Sequence, residues 1–109
     1  MIIKNDIIIR YKNGVIKYWC RFHLNGNINA EYYNDKRGYY HRRNHLPAVS
    51  EFYSNGYTYY LSFRLNGYMF NCNNPVNIIF EKNGKIRSKD YCHHNVCSRI
   101  AWLNNIKNI

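Results

Sequence analysis

Cysteine and histidine are the residues of this chain best suited to chemistry, and four of them cluster in CHHNVC, residues 92–97. A soft metal ion such as zinc prefers thiolate and imidazole ligands. The candidate ligands are Cys92, His93 or His94, Cys97, Cys20 and His23. The Cys-x4-Cys spacing is not that of a standard zinc knuckle, and residues 20 and 23 would point to opposite faces of a strand. We therefore predict reduced thiols and no metal site, with zinc binding or a Cys92–Cys97 disulfide as the alternatives.

Nucleophilic catalysis by Cys92 and a neighbouring histidine is the second chemistry to consider. It requires a group that orients the histidine and a turn that stabilises the oxyanion. The sequence shows neither, and it holds only 6 Asp and Glu residues. No glycine-rich phosphate loop is present, because every glycine except Gly38 follows an asparagine. We predict that the protein is not an enzyme and has no cofactor.

The charge of the chain favours an acidic partner. There are 16 Lys and Arg residues and a net charge of +10, although KRGYYHRR (36–43) is the only dense basic run. The candidate binding residues are Lys17, Trp19, Arg21, His23, His41, Arg42, Arg43, Tyr60 and Arg64. On one face of a sheet they would suit single-stranded nucleic acid, by stacking and phosphate contacts. The alternative is a solvated face whose tyrosines fill cross-strand positions.

These side chains must be positioned by short strands joined by tight turns. Asn-Gly is the strongest short-range hairpin signal, because both residues tolerate the positive φ of a type I′ turn. It occurs at Asn13-Gly14, Asn25-Gly26, Asn55-Gly56, Asn66-Gly67 and Asn83-Gly84. Alternating apolar and polar residues flank each turn. The pattern predicts a mainly β fold, an antiparallel β-hairpin meander of roughly six to nine short strands.

Two-residue turns also predict the register. The predicted cross-strand pairs are Ile7–Cys20, Ile9–Tyr18, Tyr11–Ile16, Ser50–Leu61, Phe52–Tyr59, Leu65–Tyr68 and Leu61–Cys72. They place one continuous apolar face on the sheet, and Cys20 and Cys72 are buried in it. Lys17, Trp19, Arg21 and His23 take the other face. The five glycines that follow asparagine should have positive φ and tolerate valine less well than Gly38.

The hairpins repeat within a single domain, residues 1–109. IIIRYKNGVIKYWCRFHLNG (7–26) aligns with AVSEFYSNGYTYYLSFRLNG (48–67), and one extra residue in the first copy indicates a bulge. The repeat copies span about 7–31, 32–47, 48–74 and 75–91, and the second contains a hairpin around Asp35 to Gly38. Such units are stabilised by packing against their neighbours.

Residues 38–67, GYYHRRNHLPAVSEFYSNGYTYYLSFRLNG, resemble the degenerate MORN-like repeat proteins. Units of that family read roughly Tyr-x-Asn-Gly, a spacer, His-Arg and then Pro-Ala, which His41-Arg42 and Pro47-Ala48 match. The next copy departs from the pattern, with Phe70-Asn71 and Pro75-Val76 in these places. The resemblance implies a β-hairpin array, common in giant DNA viruses, that serves as a scaffold and binds another protein. A basic nucleic-acid-binding protein is the alternative.

The two ends of the chain complete the expectations. CSRIAWLNNIKNI contains Ile100, Leu103 and Ile106 at helical spacing, which predicts a C-terminal helix at about 98–107 lying on the apolar face. At the other end, charged residues interrupt the apolar run in MIIKNDIIIR, so no signal peptide and no membrane span are predicted. We expect an intracellular protein, in the host cytoplasm or the virion if it is viral, that can form homo-oligomers through its sheet edges.

Overall fold

The computed structural model of the chain describes residues 3–71 and 74–91. They form the predicted mainly β, antiparallel fold. The strands are β1 (Ile7–Arg10), β2 (Ile16–Phe22), β3 (Ile28–Tyr33), β4 (Val49–Phe52), β5 (Thr58–Ser62), β6 (Arg64–Leu65), β7 (Tyr68–Met69), β8 (Asn77–Phe80) and β9 (Ile86–Asp90). No helix occurs in these two ranges. The predicted helix at 98–107, the 92–97 cluster and Cys72 lie outside them.

Seven of the strands form one sheet in the order β1-β2-β3-β4-β5-β8-β9, each antiparallel to its neighbours. The Cα atoms of the chain have extents of 48 × 39 × 16 Å, and the short third dimension is that of a single layer. Cross-strand pairing defines two faces. The Cys20 face carries Ile7, Cys20, Glu31, Ser50, Leu61 and Ile78, and the Trp19 face carries Ile8, Trp19, Tyr32, Val49, Ser62 and Asn77.

Much of the predicted register is correct. The pairs Ile7–Cys20, Ile9–Tyr18, Ser50–Leu61 and Leu65–Tyr68 are confirmed. The predictions for Tyr11–Ile16 and Phe52–Tyr59 are wrong, because Ile16 pairs with Arg10 and Phe52 pairs with Thr58. The same register shift occurs one pair beyond the turn in all four hairpins of the main sheet. A bulge was predicted only in the first repeat copy, between its two turns.

The turn chemistry explains these bulges. At Asn55-Gly56, the N–H of Gly56 donates to the Tyr53 carbonyl at 3.0 Å, and the N–H of Tyr53 donates to the Tyr57 carbonyl at 2.8 Å. Gly56 has a φ of +93°, whereas Asn55 keeps a negative φ. This is a type I turn closed by a left-handed glycine, a three-residue loop that introduces a bulge.

The prediction of type I′ turns is therefore wrong for four of the five Asn-Gly pairs, and right for Asn66-Gly67, with φ values of 51° and 86°. The reason for expecting valine to be tolerated best at Gly38 does not hold. Gly38 has a φ of +89°, like the other glycines, because it closes the same kind of turn after Asp35. That predicted hairpin forms its turn and one isolated bridge, Asn34–Tyr40, directly after β3, and its second arm is not a strand.

The Asn66-Gly67 hairpin leaves the main sheet. Strands β6 and β7 form a separate two-stranded sheet, and β5 pairs with β8, so that Leu61 lies opposite Ile78 and not Cys72. The hairpin leaves the main sheet because its backbone groups form hydrogen bonds with residues 40 and 42. The Arg64 carbonyl accepts the N–H of Arg42 at 3.1 Å, and the N–H of Gly67 donates to the Tyr40 carbonyl at 2.8 Å. The hairpin thus packs against residues 39–43.

The buried residues are small and lie on both faces. Cys20 is 2% exposed and Ser50 5% on one face, while Ala30 and Ser62 are each 1% exposed on the other. The predicted burial of Cys20 is confirmed, but the prediction that only one face is apolar is wrong. In a single layer, long side chains shield the short ones beside them, so each face forms its own thin core.

Side chains also join the tips of neighbouring hairpins. Asn25 Nδ2 donates to the Ser54 carbonyl at 2.7 Å, and Asn55 Nδ2 donates to the Lys82 carbonyl at 3.1 Å. At the opposite end of the strands, Asn13 Nδ2 donates to the Lys36 carbonyl at 3.0 Å. Asn13, Asn25 and Asn55 therefore each link their own hairpin to a later part of the array.

Candidate binding surfaces

Three aromatic rings form a row on the Trp19 face. Trp19 and Tyr32 are cross-strand partners, which brings their ring centroids to 5.5 Å. Tyr40 continues the row by stacking on Tyr32 with centroids 6.2 Å apart and an interplanar angle of 20°. The Arg21 guanidinium lies 5.3 Å from the Trp19 ring centroid. We call Arg21, Trp19, Tyr32 and Tyr40 the aromatic row.

Acidic groups border this row. The Asp6 carboxylate accepts the Trp19 Nε1–H at 3.0 Å and lies 3.9 Å from the Arg21 guanidinium. The Glu51 carboxylate accepts the Tyr32 hydroxyl at 3.3 Å. Burial, and then the Glu51 charge, raise the pKa of Tyr32, so this hydroxyl stays protonated at neutral pH. The Trp19 face is thus aromatic and mixed in charge, not uniformly basic.

Four of the predicted binding residues meet on the Trp19 face. Trp19, Arg21 and Tyr60 follow from the strand register, and Arg64 reaches the same face by donating to the Ser62 hydroxyl at 3.0 Å. Lys17 does not extend the row, because it is the extra residue of the first bulge and its ammonium lies 5.7 Å from the Tyr11 ring. Sequence reasoning missed Tyr32 and Tyr40.

The remaining predicted residues lie elsewhere. The Arg42 guanidinium sits 3.9 Å from the Tyr33 ring centroid, and Tyr33 belongs to the Cys20 face as the partner of Tyr18. The His23 ring is at a hairpin tip, where Nε2 lies 2.8 Å from the Phe52 carbonyl oxygen. His41 and Arg43 line a separate depression. The structure thus divides the predicted basic surface among both faces and the loops.

This depression, which we call the basic depression, has a volume of about 470 Å³ and lies where the Asp35–Gly38 turn meets the β6–β7 turn. It is lined by Tyr11, Asp35, Lys36, Arg37, His41, Arg43 and Asn66. The basic run 36–43 supplies most of the wall and was visible in the sequence. Asn66 comes from a different repeat, and no sequence pattern connects it to this run.

The two edges of the main sheet differ in chemistry. β1 reads Ile-Ile-Ile-Arg, and Ile7, Ile8 and Ile9 are 47%, 44% and 50% exposed. β9 reads Ile-Arg-Ser-Lys-Asp, so charged residues guard that edge. Edge strands usually carry charges or prolines that prevent pairing with another chain. β1 lacks this protection over its first three residues.

The metal hypothesis finds no support among residues 3–71 and 74–91, where no group of three or more His, Cys, Asp and Glu residues could hold an ion. Cys20 is buried in the Cys20 face, away from the tip where His23 lies. Within the same ranges, no helix is long and apolar enough to cross a membrane.

Comparison with known proteins identifies no relative. No family model matches the chain, and no curated protein or solved structure matches it. The resemblance of residues 38–67 to MORN-like repeats therefore stays a prediction.

Proposed function

We propose that the protein is a non-enzymatic interaction module of the cell interior, and that its β1 edge receives an extended segment of another protein. The contrast between the two sheet edges carries this proposal. β1 presents three exposed isoleucines, whereas β9 presents Arg87, Lys89 and Asp90. Addition of a strand to a single-layer sheet is most favourable at the edge that carries fewer charged side chains.

The geometry of β1 suits an extended, apolar partner segment. Strand addition uses main-chain hydrogen bonds for affinity and alternate side chains for specificity. Ile7 and Ile9 lie on the Cys20 face and Ile8 lies on the Trp19 face, so apolar residues on both sides of the added strand find contacts. The net charge of +10 favours acidic residues around that segment.

Site-specific crosslinking tests this proposal. A photoreactive residue at Ile8 should crosslink to an extended segment of a partner protein in cells of the native source, and the same residue at Ile86 should not. Ile86 is the matched control, because it is an isoleucine of the other edge and is 50% exposed. With the photoreactive residue at Ile8, Ile7→Lys should abolish capture and Ile86→Lys should leave it intact. Crosslinks to a second copy of this chain alone, or equal crosslinking from both edges, would refute the proposal.

The second candidate is binding of single-stranded nucleic acid, which the aromatic row favours. Stacking on such rings contributes about 1–3 kcal/mol per base. Affinity should fall steeply as salt rises, because bound phosphates release counterions. Trp19→Ala should weaken binding, whereas Trp19→Phe should largely preserve it. If oligonucleotides are not retained at low salt, this candidate is excluded and the edge-strand proposal is unaffected.

A further inference from the structure

We propose that the basic depression is an anion site that binds a phosphate group. The Asn66 side chain provides the first reason. Asn66 is 8% exposed, and its Nδ2 is buried without a hydrogen-bond partner among the described residues. A buried donor that bonds to nothing costs about 1–3 kcal/mol. Because Asn66 lines the depression, a ligand oxygen bound there would complete the bonding of this amide.

His41 supplies a second donor. Its Nδ1 accepts the backbone N–H of Asn66 at 2.9 Å. In a neutral ring the proton then resides on Nε2, which has no other partner within the described part of the chain. Two donors from different repeats are thereby fixed in one wall, since the β6–β7 turn is anchored by this same bond.

The charged acceptor of the depression is already in use. The Asp35 carboxylate accepts the backbone N–H groups of Arg37 and Tyr39 at 2.8 and 3.1 Å, and the Arg37 guanidinium at 2.9 Å. The Tyr11 hydroxyl donates to the Asn34 carbonyl at 2.7 Å. The lining residues carry three positive charges, on Lys36, Arg37 and Arg43, against the one negative charge of Asp35, so the formal charge of the wall is positive.

Asn66 Nδ2 and His41 Nε2 are donors without a protein acceptor among residues 3–71 and 74–91, and the wall around them is positively charged. A ligand that suits this wall is an anion with several oxygen acceptors. Phosphate matches this requirement, because its oxygens accept several hydrogen bonds at once. The site lies outside the β1 edge and the aromatic row. The phosphate site would therefore give the protein a further class of ligand. This proposal does not depend on the proposed function of the β1 edge.

Titration with inorganic phosphate at constant ionic strength tests the proposal. In a ¹⁵N-resolved NMR experiment on the full chain, the side-chain NH₂ signal of Asn66 should shift saturably with phosphate, and chloride should not reproduce the shift. Asn66→Gly keeps the left-handed backbone and removes the donor, so affinity should fall about tenfold. A parallel titration with O-phosphoserine shows whether an ester binds as well as the free ion, and either result is consistent with a phosphate site.

Lys36 and Lys82 provide a matched pair of variants. Each follows the first residue of a glycine-closed turn, and the carbonyl of each accepts a turn asparagine. Only Lys36 lines the depression. Lys36→Ala should weaken phosphate binding roughly threefold, as expected for an exposed charge, and Lys82→Ala should not. Equal effects of the two variants, or equal shifts with chloride, would mean nonspecific attraction by the basic chain and would overturn the proposal.

Discussion

The two histidines with assigned contacts in the structure differ in how they respond to a proton. The N–H of Asn66 donates to His41 Nδ1, so this ring must stay neutral on that side to keep the bond. The His23 Nε2 faces the Phe52 carbonyl, which accepts from neutral or protonated imidazole alike. One ring therefore acts as an acceptor and the other as a donor, although sequence reasoning placed both in the same binding surface.

His41 should make folding stability sensitive to acid. Burial lowers its pKa below the usual 6.5; the Asp35 charge opposes this shift, and Arg43 and Arg37 reinforce it. The unfolded chain then binds more protons than the folded one, so this contribution is complete above about pH 6.5 and is lost as pH falls through the folded pKa. The unfolding midpoint should drop between pH 7.5 and 5, and His41→Gln should reduce that drop.

At the scale of the element, the repeating unit is a hairpin whose turn asparagine has two functions. The Asn55 Oδ1 accepts the N–H of Tyr57 within its own turn at 3.0 Å, and its Nδ2 reaches the next hairpin tip. Asn83 forms the first bond, to the N–H of Lys85, but its Nδ2 donates to none of the described residues. The last described repeat therefore has the hydrogen bond within the turn but lacks the hydrogen bond to a neighbouring hairpin tip.

This difference predicts unequal effects of the same substitution. Asn55→Asp keeps the acceptor and loses the donor, so it should lower the free energy of unfolding by about 1 kcal/mol more than Asn83→Asp. Both variants add one negative charge, which makes the comparison direct. Urea denaturation measures the difference, and equal losses would show that the link between tips contributes nothing.

The Asn66-Gly67 turn should be the least tolerant of a side chain. A Cβ on Gly67 would lie 3.2 Å from Tyr39 Cβ, whereas a Cβ on Gly84 meets nothing within 4 Å. Both glycines have φ near +90°, so alanine costs about 1–2 kcal/mol in backbone strain at either position. Gly67→Ala should cost roughly 1 kcal/mol more through overpacking against Tyr39. Chemical denaturation of the two variants side by side tests this, and Gly84→Ala should not be the more damaging.

At the scale of the molecule, the seven-stranded sheet of the described residues is a one-layer array in which each strand pairs only with its neighbours. Stability in such arrays is approximately a sum of terms within repeats and between adjacent repeats. The central strands β3 and β4 pair on both sides and hold the buried Ala30, Val49 and Ser50. The residues of β1 and β9 are exposed along both strands. Stability should therefore decrease from the centre toward the edges.

Hydrogen exchange should reveal this gradient. We expect the backbone amides of β3 and β4 to exchange most slowly and those of β1 and β9 most rapidly, because edge strands open without disrupting the rest. Mass spectrometry of peptides from each strand measures the order. Uniform protection across the seven strands would instead indicate one cooperative core.

The local structure was predictable from the sequence, because alternation and Asn-Gly pairs act over a few residues. They yielded the mainly β class, four register pairs and the burial of Cys20. The turn type was mispredicted because Asn-Gly suits both a type I′ turn and a glycine-closed type I turn. The two turn types differ by one residue in the strand register that follows. The alternation of apolar and polar residues does not by itself show which turn type forms.

Only the tertiary structure decided which distant residues meet. The β6–β7 hairpin leaves the meander because its backbone bonds to residues 40 and 42, which lie more than twenty positions earlier in the chain. That departure brings Asn66 to the basic run and separates Arg42 from Trp19. Hydrophobic alternation determines which face a side chain takes, whereas contacts between repeats depend on loop paths that carry no periodic signal. The strands were therefore readable from the sequence, and the binding surfaces were not.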